Sequence, residues 1–402
     1  MASRLTQTKL TDTDLYFLTT GNVVQQKFPG IQGKFHLFSR NRKPMIISDE
    51  FLGQLKQELI ACGSESVSKD VANYISTQHP QLTSYMDSVI HTYHMNPTAF
   101  NCSLKDGSPD IYWQGSIATL LNYEATVSSI LTELYTTTHG ITPKAGWDKT
   151  LMTFAKAMKE NGIPFTEGGT RRRLSRAFHK EVLTILKEEA GPFLKATSNA
   201  NLAYELNLPC YGTYPHAYVQ LMAAIYGYKA ANLMALIHWS DVYRGAFASF
   251  LPDTFTTPIG LAAHEEFETL FPSRFGIFRT FRNDSLPYNI FVDNYMIPYA
   301  EKRGIAKKDI TIIHSDGMDL ESTVKAADYT RKTGFNVSFI IGTYLTYTVS
   351  GHEGFDLAAK LEEVRVAPSD QWIPVCKLSD SNDKQSGPGD SVVEAKKALH
   401  LS

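Results

Sequence analysis

From Ile163 to Ile341, short apolar runs rich in β-branched and aromatic residues alternate with helical patterns, and this rhythm limits the fold more than any other feature. The strand candidates are Pro164–Thr166, Phe193–Ala196, Cys210–Thr213, Ala246–Leu251, Gly276–Phe281, Ile310–His314 and Val337–Ile341. Between them lie helix candidates that include Arg172–Glu189, Ala200–Leu206, His216–Ile225 and Leu320–Lys332. Strands joined through helices must run parallel, and this many βα units imply an α/β barrel. In such a fold the working groups gather at the C-terminal ends of the strands. Polar clusters stand at those ends: Gly169-Thr170-Arg171, Thr197-Ser198-Asn199, Gly212-Thr213, Asp253-Thr254, Arg282-Asn283-Asp284-Ser285, Ser315-Asp316-Gly317 and Gly342-Thr343.

Two of these clusters sit in consecutive units. Ser315-Asp316-Gly317 and Gly342-Thr343 each follow a buried-strand pattern and precede a helical one. A glycine turn in that position brings backbone N–H groups close to an anion. The pair predicts a phosphate held between neighbouring strand ends.

Before Ile163 the pattern differs. Leu10-Thr11-Asp12-Thr13-Asp14-Leu15-Tyr16 reads as a helix start capped by an Asp or Thr side chain. A strand is expected around Lys34–Ser39, ending at Arg40-Asn41-Arg42, with helical spacing over residues 50–62 and 68–93. Phe100–Leu104 and Ile111–Gln114 flank Lys105-Asp106-Gly107 as a hairpin. Long helices are expected near Thr119–Tyr135 and Trp147–Asn161. Strand character returns at Leu361–Val366 and Ile373–Leu378, followed by a polar stretch, Ser379–Asp390. The expected organisation is an N-terminal α+β domain over 1–160, which the strands of 361–402 could join, and a catalytic barrel over 161–360.

At 402 residues the chain is long enough for that arrangement. A net charge of −2 argues against a nucleic-acid coat or a membrane-surface binder. No apolar run approaches the roughly 18 residues of a membrane span, and the opening MASRLTQTKLTDTD has no apolar targeting core. Cys62, Cys102, Cys210 and Cys376 form no CxxC pair and read as reduced thiols of a cytoplasmic protein.

Each candidate carries two readings. Three arginines in a row, Arg171 to Arg173, cannot all face one way; Arg171 at the strand end suits a pocket, while surface arginines on a solvated helix are the plain alternative. Asp284 beside Arg282 suits a diol next to an anion, and either Asp284 or Ser285 could instead cap a helix. Asp316 has the same alternative, because a helical pattern begins at Leu320. His216 suits a nucleophile or proton carrier, although a lone histidine is commonly structural. These features alone reach an α/β barrel enzyme acting on a phosphorylated, sugar-like ligand.

Taken in order, the motifs Asp12-Thr13-Asp14-Leu15-Tyr16, Gly169-Thr170-Arg171-Arg172-Arg173-Leu174-Ser175-Arg176, Thr197-Ser198-Asn199, Gly212-Thr213 with His216, Asp253-Thr254, Arg282-Asn283-Asp284-Ser285, Ser315-Asp316-Gly317-Met318-Asp319, Ile341-Gly342-Thr343 and Lys377-Leu378-Ser379-Asp380-Ser381 resemble those of the nicotinate phosphoribosyltransferase family. The resemblance implies the type II phosphoribosyltransferase fold, an irregular α/β barrel with an N-terminal α+β domain. It implies an ATP-coupled pentosyl transfer in NAD biosynthesis, in which nicotinate and phosphoribosyl pyrophosphate, with Mg²⁺, give nicotinate mononucleotide and pyrophosphate. It implies a homodimer as well.

The resemblance also implies roles. Arg171 would hold the pyridine ring and its carboxylate, and Tyr16 would stack on the ring from a partner subunit. Thr197 and Ser198 would line the base site, Ser198 standing where nicotinamide-using relatives carry an aspartate. Asp284 would bind the ribose hydroxyls with Arg282 near phosphate. Ser315, Asp316, Gly317, Gly342 and Thr343 would cradle the 5′-phosphate, and ATP would phosphorylate His216. No residue is assigned as a metal ligand.

Three positions depart from the family. Ala217 and Tyr218 replace the Glu-Trp that follows the histidine, which predicts an imidazole without its orienting carboxylate and weak ATP coupling. Leu286 replaces a glycine after Asp284-Ser285, blocking close backbone approach to phosphate. Tyr344 follows Gly342-Thr343 where an arginine or asparagine is common. A non-catalytic homologue, or one taking another base, is the alternative these departures suggest.

Overall fold

The structure, a computed structural model, describes residues 4–39, 45–367, 369, 371–381 and 384–401. The expected strand end at Arg40-Asn41-Arg42 lies outside them. The strands in chain order are β1 (Gln32–Ser39), β2 (Phe100–Lys105), β3 (Ser108–Ser116), β4 (Phe165–Glu167), β5 (Leu194–Thr197), β6 (Ser249–Phe250), β7 (Thr280–Asn283), β8 (Thr311–His314), β9 (Asn336–Ile341), β10 (Leu357–Arg365) and β11 (Trp372–Pro374). The chain forms two compact units. The first comprises Met1–Asn22, Phe35–Gly212 and Ile341–Ala359; the second comprises Val23–Lys34, Thr213–Ile340 and Lys360–Ser402.

In the first unit β2 and β3 pair as the expected hairpin, from Phe100 opposite Trp113 to Lys105 opposite Ser108. Its two turn residues both take positive φ, 52° at Asp106 and 74° at Gly107, which is the geometry an Asp-Gly turn favours. Beneath it Phe35 stacks on Trp113 with ring centroids 5.8 Å apart. β4 and β5 run parallel, and the Gly168 N–H donates to the Ile341 carbonyl at 2.9 Å, which sets the end of β4 beside the end of β9.

The helix Tyr123–Thr138 is buried around nearly its whole circumference. Its hydroxyls therefore need internal partners. Ser129 donates to the Thr170 carbonyl at 2.7 Å and Thr136 to the Leu174 carbonyl at 2.6 Å. This helix thus fixes the loop that carries the arginine run.

The plain reading as surface arginines is corrected for Arg173. Arg173 has no exposed surface, and its Nη2 donates to Thr8 Oγ1 at 2.9 Å and Asp12 Oδ2 at 3.0 Å. Arg176 adds its Nε to the same Asp12 oxygen at 2.9 Å. Burial alone would raise the Asp12 carboxyl, but the two guanidinium groups hold it well below the usual carboxylate range. The helix expected from Arg172 begins instead at Arg176, because Ser175 caps it by accepting the Phe178 N–H at 3.1 Å.

In the second unit β6, β7, β8 and β9 lie side by side in parallel, and β10 pairs antiparallel with β11. Trp239 centres an aromatic core, with ring centroids 4.8 Å from Tyr214, 5.4 Å from Tyr218 and 4.7 Å from Tyr243. Its helix, Ala231–Tyr243, escaped sequence reading because apolar residues occupy every face and leave no 3.6-residue stripe.

Other expectations shift for local reasons. The helical spacing over 68–93 breaks at Pro80 into Lys69–Gln78 and Thr83–Thr92, since proline lacks the N–H a helix interior needs. The strand expected over Cys210–Thr213 does not form; only a single bridge joins Cys210 to Thr197. Gly212 is pressed instead against the start of the helix Leu15–Lys27, where a Cβ would lie 2.6 Å from the Tyr16 nitrogen. The four cysteines are buried and free. No helix among the described residues is long and apolar enough to cross a membrane.

Candidate active site

The strand ends of the first unit carry Arg171, Thr197, Ser198, Gly342 and Thr343, with Tyr16 close by. Glu167, fully buried at the end of β4, organises them. Its carboxylate accepts the Thr197 hydroxyl at 2.6 Å, the Gly169 N–H, and an ion pair from His179 at 2.9 Å. Burial would push this carboxyl up; His179 and the hydrogen bonds hold it below its ordinary value. The Glu167 carbonyl takes the Ser198 N–H at 2.8 Å, so one residue fixes both the arginine loop and the β5 turn. Gly342 is required at the end of β9, where a Cβ would sit 2.9 Å from the Gly168 carbonyl oxygen.

Arg171, part-exposed, lies between two carboxylates. Its Nη1 meets Glu124 Oε1 at 2.7 Å and its Nε stands 3.7 Å from Asp14 Oδ2. Both carboxylates belong to helix N-termini, Asp14 just before Leu15–Lys27 and Glu124 in the first turn of Tyr123–Thr138. Each helix end contributes about half a positive charge. Two carboxylates, one guanidinium and two helix ends leave a site near neutral. The guanidinium also lies 5.9 Å from the Tyr16 ring of the same chain, within range of a cation–π contact. Ser198 donates its hydroxyl to Asp14 Oδ1 at 2.6 Å.

The strand ends of the second unit carry Arg282, Asp284, Ser315, Asp316, Gly317 and His216. Arg282 and the Ser315 hydroxyl each bind one oxygen of Asp284. Neither Asp284 nor Ser285 caps a helix: Pro287 precedes Tyr288–Phe291, and the Ser285 hydroxyl donates to Asp380 at 2.8 Å. Asp316 is not a cap either. Asp319 caps Leu320–Lys332 through a reciprocal box with Ser322. Leu286 is bound at both backbone groups by the Asn283 side chain, at 3.1 and 2.9 Å. Asn283 also donates to His314 Nδ1 at 3.1 Å, and the other ring nitrogen lies 3.1 Å from the Thr330 hydroxyl. An amide N–H on Nδ1 requires the neutral Nε2–H tautomer. A buried chain therefore ties the Asp284 turn on β7 to the Ser315 turn on β8.

His216 lacks the neighbouring glutamate, yet its ring is held from elsewhere in the chain. The Thr254 hydroxyl lies 3.0 Å from Nδ1 and the Lys377 ammonium 2.8 Å from Nε2. Tyr218 turns away, donating to the Ala235 carbonyl at 3.2 Å. An ammonium can only donate, so Nε2 presents its lone pair and the proton sits on Nδ1, given to Thr254. Burial, and then Lys377, push the imidazole well below its ordinary pKa. Asp253 faces the pair from 3.4 Å to Lys377 and 3.8 Å to His216. Among the described residues no three His, Cys, Asp or Glu side chains gather as a cation site.

In each unit polar turns stand at the C-terminal ends of parallel strands, the arrangement of an α/β enzyme. The structure superposes on nicotinate phosphoribosyltransferase from Porphyromonas gingivalis with a TM-score of 0.91 at 29% identity, covering 98% of this chain and 99% of that one. The corresponding Vibrio cholerae structure shares the fold, with a TM-score of 0.85 at 22% identity over 100% of this chain and 96% of that one. The fold is the irregular α/β barrel of the type II phosphoribosyltransferases. Nicotinate phosphoribosyltransferases of Chromohalobacter salexigens and Desulforapulum autotrophicum are 28% and 27% identical, covering 98% and 96% of this chain and 98% and 97% of their own lengths. The model of the nicotinate phosphoribosyltransferase (NAPRTase) family matches residues 163–400, and the chain belongs to that family.

Several site residues were not singled out from sequence. Glu124 lies inside a helix with no local mark. Glu167 precedes two glycines, and its place one residue before a strand-end turn was the available signal.

His314 gives this site an acid limit. Burial lowers its pKa to about 4, from about 6.5 when unfolded. Between those values the unfolded chain binds the extra proton, so stability falls as pH drops from about 6.5 to 4, by up to about 1.4 kcal/mol per pH unit. Urea midpoints measured from pH 7 to 4.5 should show this slope, reduced by about one proton in His314→Gln. An unchanged slope would mean His314 is not the neutral link.

Proposed function

We infer that the chain is a nicotinate phosphoribosyltransferase, joining nicotinate to phosphoribosyl pyrophosphate in NAD salvage and releasing pyrophosphate. The observation that carries this reading is Arg171, a part-exposed guanidinium beside the Tyr16 ring in a site near neutral charge. Its Nε and Nη1 meet Asp14 and Glu124, which leaves Nη2 for a planar anion such as an aromatic carboxylate. Ser198 keeps a further carboxylate out of the base site, and Thr197 and Tyr16 bound it. In the second unit Asp284 takes ribose hydroxyls beside Arg282. The Asp316 and Gly317 N–H groups would meet the 5′-phosphate, the Ser315 N–H being given to the Asn283 carbonyl. The Leu286 backbone is already spent on Asn283.

The reaction breaks the bond from C1 to pyrophosphate and forms a bond from C1 to the pyridine nitrogen. Positive charge grows on the ribose as the leaving group departs, so holding ring and ribose in line is the protein's main contribution. Mg²⁺ enters with the pyrophosphate as its counter-ion.

ATP coupling belongs to the same proposal. His216 Nε2 would take the γ-phosphoryl group as the bond to the bridging oxygen breaks and ADP leaves. Lys377 stands where its charge would meet the transferred group. Thr254 supplies the tautomer control expected of the missing glutamate, so coupling is retained in this reading. The reading also proposes a homodimer working in the cytoplasm. A second reading, transfer to a related base such as nicotinamide, rests on Asp14, whose carboxylate stands beside Ser198 and could accept an amide N–H.

Pyrophosphate release with nicotinate, and little with nicotinamide, is the expected outcome of a coupled assay; the reverse preference selects the second reading, and release with neither rejects both. Ser198→Asp places a second carboxylate beside Asp14 and should lower kcat/KM for nicotinate more than tenfold, about 1.4 kcal/mol or more. An unmoved nicotinate-to-nicotinamide ratio would remove Ser198 from the base site. Incubation with γ-labelled ATP should leave acid-labile label on His216, lost in Lys377→Met. Transfer at full rate with no label would show that the imidazole does not couple ATP.

A further inference from the structure

Lys384 has no part in the roles assigned above, yet it is placed with care. The pairing of Lys377 with Ser386 is closed by two backbone hydrogen bonds, Lys377 N–H to the Ser386 carbonyl at 2.9 Å and the return bond at 3.0 Å. Asp380 anchors it, accepting the Thr257 N–H and hydroxyl, both at 2.7 Å, and the Ser285 hydroxyl at 2.8 Å. From this frame the Lys384 ammonium reaches the Asp284 carbonyl at 2.7 Å and Asp316 Oδ2 at 2.5 Å. Its side chain is 18% exposed, while that of Asp316 is 55% exposed. A long flexible cation is thereby held at one point, on the Ser315-Asp316-Gly317 turn.

That turn contains a contradiction. Gly317, with φ of 62°, shapes it for close approach by a phosphate, but Asp316 puts a carboxylate in the same three residues. A carboxylate beside a phosphate repels it and is little screened over a few ångströms. We propose that Lys384 is a positioning residue for the phosphorylated pentose: it neutralises Asp316 and holds that carboxylate to the side, so that the Ser315-Asp316-Gly317 turn accepts a phosphate monoester. The inference rests on the phosphoribosyl reading of this site. No bond is made or broken, and only charge and side-chain position are involved. It also explains why the polar stretch after Ser379 is tied down by Asp380.

The test is calorimetric binding of phosphoribosyl pyrophosphate and, separately, ribose 5-phosphate to the full chain. Lys384→Met should weaken both by about tenfold or more with Tm unchanged. Adding Asp316→Asn to Lys384→Met should recover most of the lost affinity. Rescue separates charge neutralisation from a packing role, because a fold defect from losing Lys384 would not be relieved by removing the Asp316 charge. If wild type binds and Lys384→Met binds equally well, the inference is wrong while the site reading stands. A double variant as weak as Lys384→Met also overturns it, since Lys384 would then act on something other than Asp316. If wild type binds neither ligand, the phosphoribosyl reading falls and takes this inference with it.

Discussion

A chain of net charge −2 that handles a phosphorylated pentose has to prevent its own carboxylates from repelling the ligand. Each carboxylate at the described strand ends is met by a cation or a hydroxyl. Asp14 has Ser198 and Arg171, Glu124 has Arg171, Asp284 has Arg282 and Ser315, Asp316 has Lys384, and Asp253 has Lys377. The pairs cost desolvation and add little net stability. Their function is to bring the strand ends close to neutral while keeping N–H and guanidinium donors available.

This pattern explains the position of the helices as well as the side chains. Asp14 and Glu124 stand at helix N-termini, where the dipole offsets part of their charge. The buried helix Tyr123–Thr138 holds the arginine loop through Ser129 and Thr136, and Glu167 holds it from the opposite end. Arg171 is therefore presented by a loop with little freedom to move. Rigid support of this kind is what a transfer reaction needs when alignment supplies most of its acceleration.

Much of this was legible in the sequence. The alternation after Ile163 gave the parallel strands, and the helices Ala200–Leu206 and Leu320–Lys332 fall at the expected bounds. The two glycine turns expected after strands do follow β8 and β9. What stayed hidden was partnership over distance. Nothing around Arg173 distinguishes a fully buried arginine from its neighbours until Asp12, more than 160 residues earlier, is brought to it. The same holds for His216: its sequence neighbours Ala217 and Tyr218 supply no orienting carboxylate, and Thr254 and Lys377 hold the ring from elsewhere in the chain. The strand expected at Cys210–Thr213 failed because Gly212 was needed for close packing against Tyr16.

Asp284 offers the most direct test, because it is the carboxylate proposed to meet the ribose and Arg282 and Ser315 hold its two oxygens in place. The measurement is the affinity of phosphoribosyl pyrophosphate for wild type and for Asp284→Asn, by calorimetry at constant ionic strength. Each charge-assisted hydrogen bond to a ribose hydroxyl is worth about 1.5–3 kcal/mol. The account predicts a single site per chain and more than tenfold weaker binding in the variant. Equal affinity in the two proteins would contradict it, reducing Asp284 to an internal partner of Arg282.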